Sequence, residues 1–194
     1  VIMDVLVGEN VRRRPMKESD YEYFAALKND LRTQAWNQRT SMCRTAQQTK
    51  EYYEAERKKP HTGDYSIETL DGTLVGTIGY GEDPPRLAAH IGVITGMEHW
   101  GKGYALEAHE LLLRFLFEER GIQVVRLSTQ SGNERGIAAA EKIGFKVQSR
   151  SRESGIIGGE PVDSVYMDML REEYYESRGL EDNLLSRHRF GQSP

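Results

Sequence analysis

What is scarce in this chain narrows it first. Cys43 is the only cysteine in 194 residues, so no internal disulfide can form and a reducing compartment is expected. Cys43 itself reads as a small, half-buried hydrophobe. Long apolar runs are missing: the strongest, LLLRFLF at 111–117, is interrupted by Arg114 and far too short to span a bilayer. The stretch VIMDVLVGE carries no basic leader and no adequate apolar core for a signal peptide, so a cytoplasmic protein without a membrane partner is expected. Positive charge is not in excess either. The formal charge is −4, which argues against general attraction to nucleic acid. Internal repeats, low-complexity segments and a metal site are not expected.

What remains is enough chain for one domain with its own core, assigned to residues 1–175, and a charged tail, 176–194. Val5–Val7 and Val11–Pro15 read as a strand pair around Gly8-Glu9-Asn10. Ser19 with Glu22 has the spacing of a capping box, and Phe24, Leu27 and Leu31 then recur at helical spacing. Thr45 with Gln48 opens a second helix, which stops before Pro60. DYSIETL, Asp71-Gly72 and TLVGTIGY read as a hairpin, and LAAHIGVIT as a strand after the Pro84-Pro85 break. The best helix runs from Gly103 to Arg120, polar along one stripe and ended by Gly121. VVRLSTQ, FKVQSR and DSVYMDML are further strands, with the short helix NERGIAAAEKI between the first two. From Arg171 the chain is charged and holds few apolar anchors, so a peripheral helix that frays is expected. The order predicts a mixed sheet with helices on its faces, not a doubly wound parallel fold.

One stretch asks for a chemical explanation. HWGKGYALEA, residues 99–108, places Gly101 and Gly103 around Lys102 where a strand ends and the best helix begins. Glycine there costs roughly 0.5–1 kcal/mol against alanine. Three phosphate-binding mechanisms use glycines at such a turn. A P-loop needs Ser or Thr to hold magnesium where Gly103 stands. A dinucleotide fingerprint needs a small third residue where Leu106 stands. A pyrophosphate seated on the first turn of a long helix needs only free N–H groups, the helix dipole and a nearby cation, here Lys102. The last fits.

Trp100-Gly101-Lys102-Gly103-Tyr104-Ala105 resembles the pyrophosphate loop of the GNAT superfamily of acyl-CoA-dependent N-acyltransferases. Tryptophan followed by Gly-Lys-Gly-Tyr-Ala and Glu107-Ala108 resembles the branch that acetylates the N-terminal Ala or Ser of ribosomal proteins, with many relatives acting on other amines. NERGIAAAEKIGF, VRRRPMKESD and VDSVYMDMLREEY are similar to that branch's later helix, opening strand and closing strand, so the likeness covers roughly residues 5–175. The resemblance implies an α/β fold of the α+β type. Its mixed, mostly antiparallel sheet has splayed fourth and fifth strands and helices on both faces. It implies that a pantetheine arm pairs with the backbone of Val93, Ile94 and Thr95. Amides from Trp100, Gly101, Lys102, Gly103, Tyr104 and Ala105 would hold the pyrophosphate, Asn133 would contact the pantetheine, and Arg135 or Lys142 would meet the nucleotide phosphates. The co-substrate implied is acetyl-CoA, and relatives are often homodimers.

Acyl transfer needs a deprotonated amine and a route for the thiolate to leave. His90 stands where many relatives carry a glutamate base, and an imidazole, with an ordinary pKa of about 6.5, suits that task near neutrality. A histidine packed in the sheet with a satisfied hydrogen bond explains it equally well. Glu98 and Glu82 are weaker candidates. Relatives place a tyrosine acid, or a serine, where this chain has Ala140 and Gly136. Tyr166 or Tyr80 is left as a substitute, and a coenzyme A-binding module without turnover, or a transferase of a longer acyl group such as succinyl, stays open beside an acetyltransferase. Arg13 replaces an apolar residue of the branch. Arg32, Arg39, Arg44, Arg150 and Arg152 fall in the segments that frame the acceptor in relatives; scattered arginines of this kind read as solvated surface, and the alternative is an amine acceptor bearing a carboxylate or phosphate.

Overall fold

The computed structural model describes residues 6–36, 43–83 and 87–181. They build one sheet from β1 (Leu6–Val7), β2 (Val11–Pro15), β3 (Thr62–Thr69), β4 (Leu74–Asp83), β5 (Ala88–Thr95), β6 (Val124–Gln130), β7 (Lys146–Ile157) and β8 (Glu160–Leu170). The order is β1-β2-β3-β4-β5-β6-β8-β7. Every neighbouring pair is antiparallel except β5 and β6. That parallel contact covers only Ala88, Ala89 and His90 opposite Val124, Val125 and Arg126. β4 follows β5 out to Thr95, and β8 follows β6 out to Gln130. Past His90 the two strands therefore part, leaving a wedge between residues 91–95 and 127–130. The expected splay is present.

Helices α1 (Asp20–Asn29), α2 (Leu31–Gln34) and α3 (Ala46–Arg57) lie on one face, over a small core of Met16, Tyr21, Phe24, Leu27 and Tyr53. On the other face α4 (Tyr104–Arg114), a π-helical turn (Phe115–Glu119), α5 (Glu134–Ile143) and α6 (Arg171–Arg178) cover the main core, built around Ile67, Ile78, Leu112, Leu116, Phe117 and Met167. No helix of the described residues is long and apolar enough to cross a membrane.

Several elements depart from the sequence reading. The Thr45–Gln48 capping box forms, with both reciprocal bonds present at 3.0 and 3.1 Å. The Ser19–Glu22 box does not, because Ser19 is already in the helical region and its side chain caps nothing, while Asp20 accepts the Lys17 N–H ahead of the helix at 2.8 Å. Leu31 lies beyond the end of α1, where Asp30 caps α2 by accepting from Arg32 N, and it is 70% exposed. The helix expected over 103–120 changes at Phe115 into a wider turn, with Arg120 N donating to Phe115 O, that seats Leu116 and Phe117 in the core. FKVQSR extends into a strand of twelve residues closed by Gly158 and Gly159, both at positive φ. Its alternation was invisible because both faces of β7 are largely exposed.

The tail holds on longer than its composition implied. Tyr174 and Tyr175 are buried, with Tyr174 stacked on Phe117 at 4.7 Å, so α6 carries across residue 175 to Arg178. Cys43 is exposed rather than half-buried, being held at φ 46 outside the helices. Arg13 is buried at 1% exposure, its guanidinium between the rings of Tyr65 and Phe115 at 4.2 and 4.8 Å. It belongs to the main core, not to a cleft. The Pro84-Pro85 break and Arg39 fall outside the described residues.

Candidate active site

β5 ends at Thr95 and passes through a 3-10 turn, Met97–His99, into α4. Gly101 and Gly103 have φ of 78° and 81°, the left-handed region that costs any side-chain-bearing residue about 1 kcal/mol or more. Conformation alone therefore accounts for both glycines. A Cβ at either position would meet nothing within 4 Å, so this side of the turn is open. Trp100 N donates to Met97 O at 3.1 Å, which removes it from the expected anion-binding set. Among the described residues, no N–H from 101 to 106 donates to a protein acceptor. Glu107 N is the first to close a helical bond, onto Gly103 O at 3.0 Å. The positive end of α4 thus presents a run of bare amides beside exposed Lys102, which suits an anion.

Trp100 joins this turn to the wedge, donating its indole N–H to Thr95 O at 3.2 Å. Arg135, in the first turn of α5, stacks over the Trp100 ring at 4.0 Å, which brings its guanidinium to the loop. Lys142 is exposed in the last turn of α5, roughly 12 Å along the axis from that end. Asn133 is the N-cap of α5: Oδ1 accepts from Gly136 N at 3.1 Å and Nδ2 donates to Thr129 Oγ1 at 2.9 Å. A Cβ on Gly136 would stand 2.3 Å from Asn133 Nδ2 as that carboxamide lies, so a side chain at 136 requires the carboxamide to turn. Ala140 is buried in the main core, where it backs the sheet.

On the opposite face, a cleft of about 340 Å³ runs between α1–α3 and the sheet and reaches Val93 and Ile94 at the edge of the wedge. Its floor is paved with glycine. Gly79, Gly81 and Gly92 line it, and Cβ atoms on Gly81 and Gly92 would meet nothing within 4 Å. Tyr52, Tyr53 and Glu56 come from α3, and Lys28 from α1. Tyr53 is 3% exposed, and burial pushes its hydroxyl pKa well up. Asp64 of β3 lies at the end of the transverse row Asp64–Gly79–Gly92. Burial, with Glu56 adding to it, pushes the Asp64 carboxyl up to about 6.

The catalytic candidates from the sequence scatter around this cleft. His90 lines it, but its side chain is 58% exposed and its Nε2 lies 3.0 Å from Asp83 Oδ2. Glu82 is held beneath the sheet by Arg120 at 2.8 Å. Glu98 accepts the Tyr23 hydroxyl at 2.7 Å, and that bond lowers its pKa, leaving a weak base that clamps α1 to the turn after β5. Tyr166 is 41% exposed on β8, in register with Ser128 and outside the cleft lining. Tyr80 leans on Phe115 at 5.8 Å, and burial raises its pKa to about 12. Arg32 pairs with Asp30, Arg44 stacks on Tyr52, and Arg150 and Arg152 are exposed on β7. None of these arginines lines the cleft, whose ionisable lining includes Lys28, Glu56, Asp64 and His90. Asp64 and the glycine floor escaped the sequence reading. Their signal was the spacing of Gly79, Gly81 and Gly92 in strands read only for their apolar residues.

The family model for the acetyltransferase (GNAT) domain matches residues 11–146. The chain belongs to that family. It is accordingly an acyl-CoA-dependent N-acetyltransferase. It is 28% identical over 174 residues to YdaF of Bacillus subtilis (strain 168), provisionally named a ribosomal N-acetyltransferase, covering 87% of this chain and 95% of that one. It is 27% identical over 174 residues to the prophage-derived N-acetyltransferase YokL of the same strain, covering 89% and 96%. Among solved GNAT-fold structures it is similar to spermidine N-acetyltransferase from Vibrio cholerae in complex with CoA and spermine. The TM-score there is 0.79 at 19% identity, over 84% of this chain and 97% of that one. A GNAT acetyltransferase from Bacillus anthracis superposes with a TM-score of 0.75 at 20% identity, over 87% and 99%.

Proposed function

We propose that this GNAT enzyme moves the acetyl group of acetyl-CoA to a primary amine, on a small molecule or a peptide N-terminus, by direct attack on the thioester. The observation that carries the reading is the adjacency of three features: bare amides at 101–106, the wedge beyond His90, and the glycine-floored cleft meeting it at Val93 and Ile94. The amides and Lys102 hold the pyrophosphate, and Arg135 on its Trp100 platform meets the nucleotide phosphates. The unpaired edge of β5 at Val93, Ile94 and Thr95 holds the pantetheine arm as an added strand. Bound there, acetyl-CoA supplies an activated carbonyl and a thiol of pKa about 8.5, which leaves tolerably without a protein acid. The absence of a tyrosine at 140 and a serine at 136 is therefore compatible with turnover.

Titration calorimetry with acetyl-CoA tests the reading, followed by thiol release across a panel of amines. Saturable one-site binding is expected, weakened at least tenfold by Gly103→Val, which strains the turn and covers its open side, with release of thiol on at least one primary amine. A folded protein that gives no heat with acetyl-CoA would overturn the reading.

A further inference from the structure

We propose that Asp64 forms the subsite for the acceptor's ammonium group. Its carboxylate holds the cation above Gly92 and takes the proton that must leave before nitrogen attacks, a role that presupposes the transferase reading. Asp64, Gly79 and Gly92 share one transverse row of the sheet, so Asp64 starts two strand spacings, roughly 10 Å, from β5. Gly79 lets it lean inward: the position of a Cβ on Gly79 lies 2.5 Å from Asp64 Oδ1. The carboxylate therefore sits above β4, about 5 Å from β5. Over Gly92 the cleft is open. That interval takes one nitrogen at hydrogen-bond distance from the carboxylate, against the strand that carries Val93 and Ile94.

The other acidic groups nearby already have partners. Glu56 pairs with Lys59 at 2.6 Å and Asp83 with His90 at 3.0 Å. No described residue donates a hydrogen bond to Asp64, and no described cation lies within ion-pair distance of it. Facing it are Glu56, Arg57 and Tyr53 of α3, Lys28 of α1 and Lys59 after α3. Glu56 adds to the effect of burial, while the three cations oppose it, and the outcome is a carboxyl raised to about 6. Such a group is ionised at neutral pH yet basic enough to accept a proton. The step balances: one ammonium proton passes to Asp64, and the freed nitrogen pair forms the C–N bond. The C–S pair departs with sulfur, which takes a second proton from the same nitrogen, and Asp64 releases its proton to solvent.

Two measurements on the full chain test this, with propylamine as the probe. The first is a carbon-13 NMR titration of the aspartate carboxyls with coenzyme A bound. One carboxyl, lost in Asp64→Asn, is expected to titrate near 6 and to fall by half a unit or more with propylammonium but not with propanol. The second is acetyl transfer to propylamine between pH 5 and 9. The wild-type kcat/KM should level off above about pH 6, where carboxylate meets ammonium. In Asp64→Asn it should be lower by a hundredfold or more at pH 7 and climb with the fraction of free amine. A carboxyl titrating in the ordinary range near 4 overturns the proposal, as does one indifferent to propylammonium. So does an Asp64→Asn enzyme within threefold of wild type, or a break near 6 that persists in Asp64→Asn and vanishes in His90→Gln. In those cases coenzyme binding remains intact and the transferase reading stands. If the wild type fails to bind acetyl-CoA, both fall.

Discussion

Asn133 and Gly136 show how a single missing side chain decides the chemistry around it. The asparagine carboxamide folds back over Gly136, capping α5 and tying it to Thr129. A serine at 136 would put its Cβ 2.3 Å from the carboxamide nitrogen as it lies, so the carboxamide would have to turn out of its cap. Gly136→Ser and Asn133→Ala should each lower stability by about 1 kcal/mol, the usual value of an N-cap. Because both remove the same bond, the double variant should cost less than the sum. Urea unfolding of the four proteins checks this, and strict additivity would count against a shared cause. The sequence made the position of Asn133 legible but not this partnership, since spacing does not report where a carboxamide turns. The same limit hid Asp64, whose lean across Gly79 depends on register between two strands.

Among the elements, α4 has a second duty that its amphipathic pattern concealed. Glu107 looks like one member of a polar stripe, yet its carboxylate reaches the β1–β2 turn. It accepts Asn10 N at 2.9 Å, Asn10 Nδ2 at 3.0 Å and Val11 N at 3.3 Å. These donors hold its pKa down despite partial burial. Gly8 leaves room for it, since a Cβ there would lie 2.0 Å from Glu107 Oε1 as the carboxylate stands. The first turn of α4 is thus pinned to the sheet edge directly below the bare amides. Glu107→Ala should cost about 1–2 kcal/mol, in line with charge-assisted bonds that are partly exposed. It should also speed amide exchange at Asn10 and Val11 while leaving the α5 amides unchanged. Exchange measured by mass spectrometry would decide it, and an unchanged turn would remove the pin. Strong periodicity and local caps were legible here, as the Thr45–Gln48 box and the Gly144 stop at φ 116° attest. The Ser19–Glu22 box failed because Ser19 itself lies in the helical region, in a turn where Asp20 N donates to Lys17 O and Tyr21 N to Glu18 O.

For the molecule as a whole, the mixed, mostly antiparallel sheet and the parting of β5 from β6 followed from the motifs, because one family topology carries them. The stability of that architecture against pH did not, since it rests on contacts between distant segments. Arg14 of β2 pairs with Asp20 of α1 at 2.7 Å and with Glu68 of β3 at 2.9 Å, all nearly buried. Although burial alone would raise them, hydrogen bonds to arginine, Ser66 and Lys17 N hold Asp20 and Glu68 below the usual carboxylate range. Their contribution is complete above the unfolded values near 4 and is lost as pH falls through the folded ones. Among the described residues, two groups with raised or lowered values act between pH 4 and 6.5 with opposite signs. Burial raises Asp64 to about 6, so its folded form binds a proton that the unfolded chain has released, and stability falls as pH rises through that window. Burial lowers His109 to about 4, the Ala105 O bond opposing, so there the unfolded chain binds the extra proton and stability rises with pH. The wild type should therefore be level from about pH 4.5 to 6 and fall steeply below 4. Asp64→Asn removes one of the opposed slopes. Its stability should climb across that window and exceed the wild type at pH 7 by about 2 kcal/mol, discounting the roughly 1.4 kcal/mol per pKa unit for residual solvent. Urea midpoints measured at half-unit steps from pH 3.5 to 7.5 check both curves. A wild type that gains stability steadily from pH 4 to 6.5, matching Asp64→Asn throughout, would show that Asp64 ionises as freely in the fold as in the open chain.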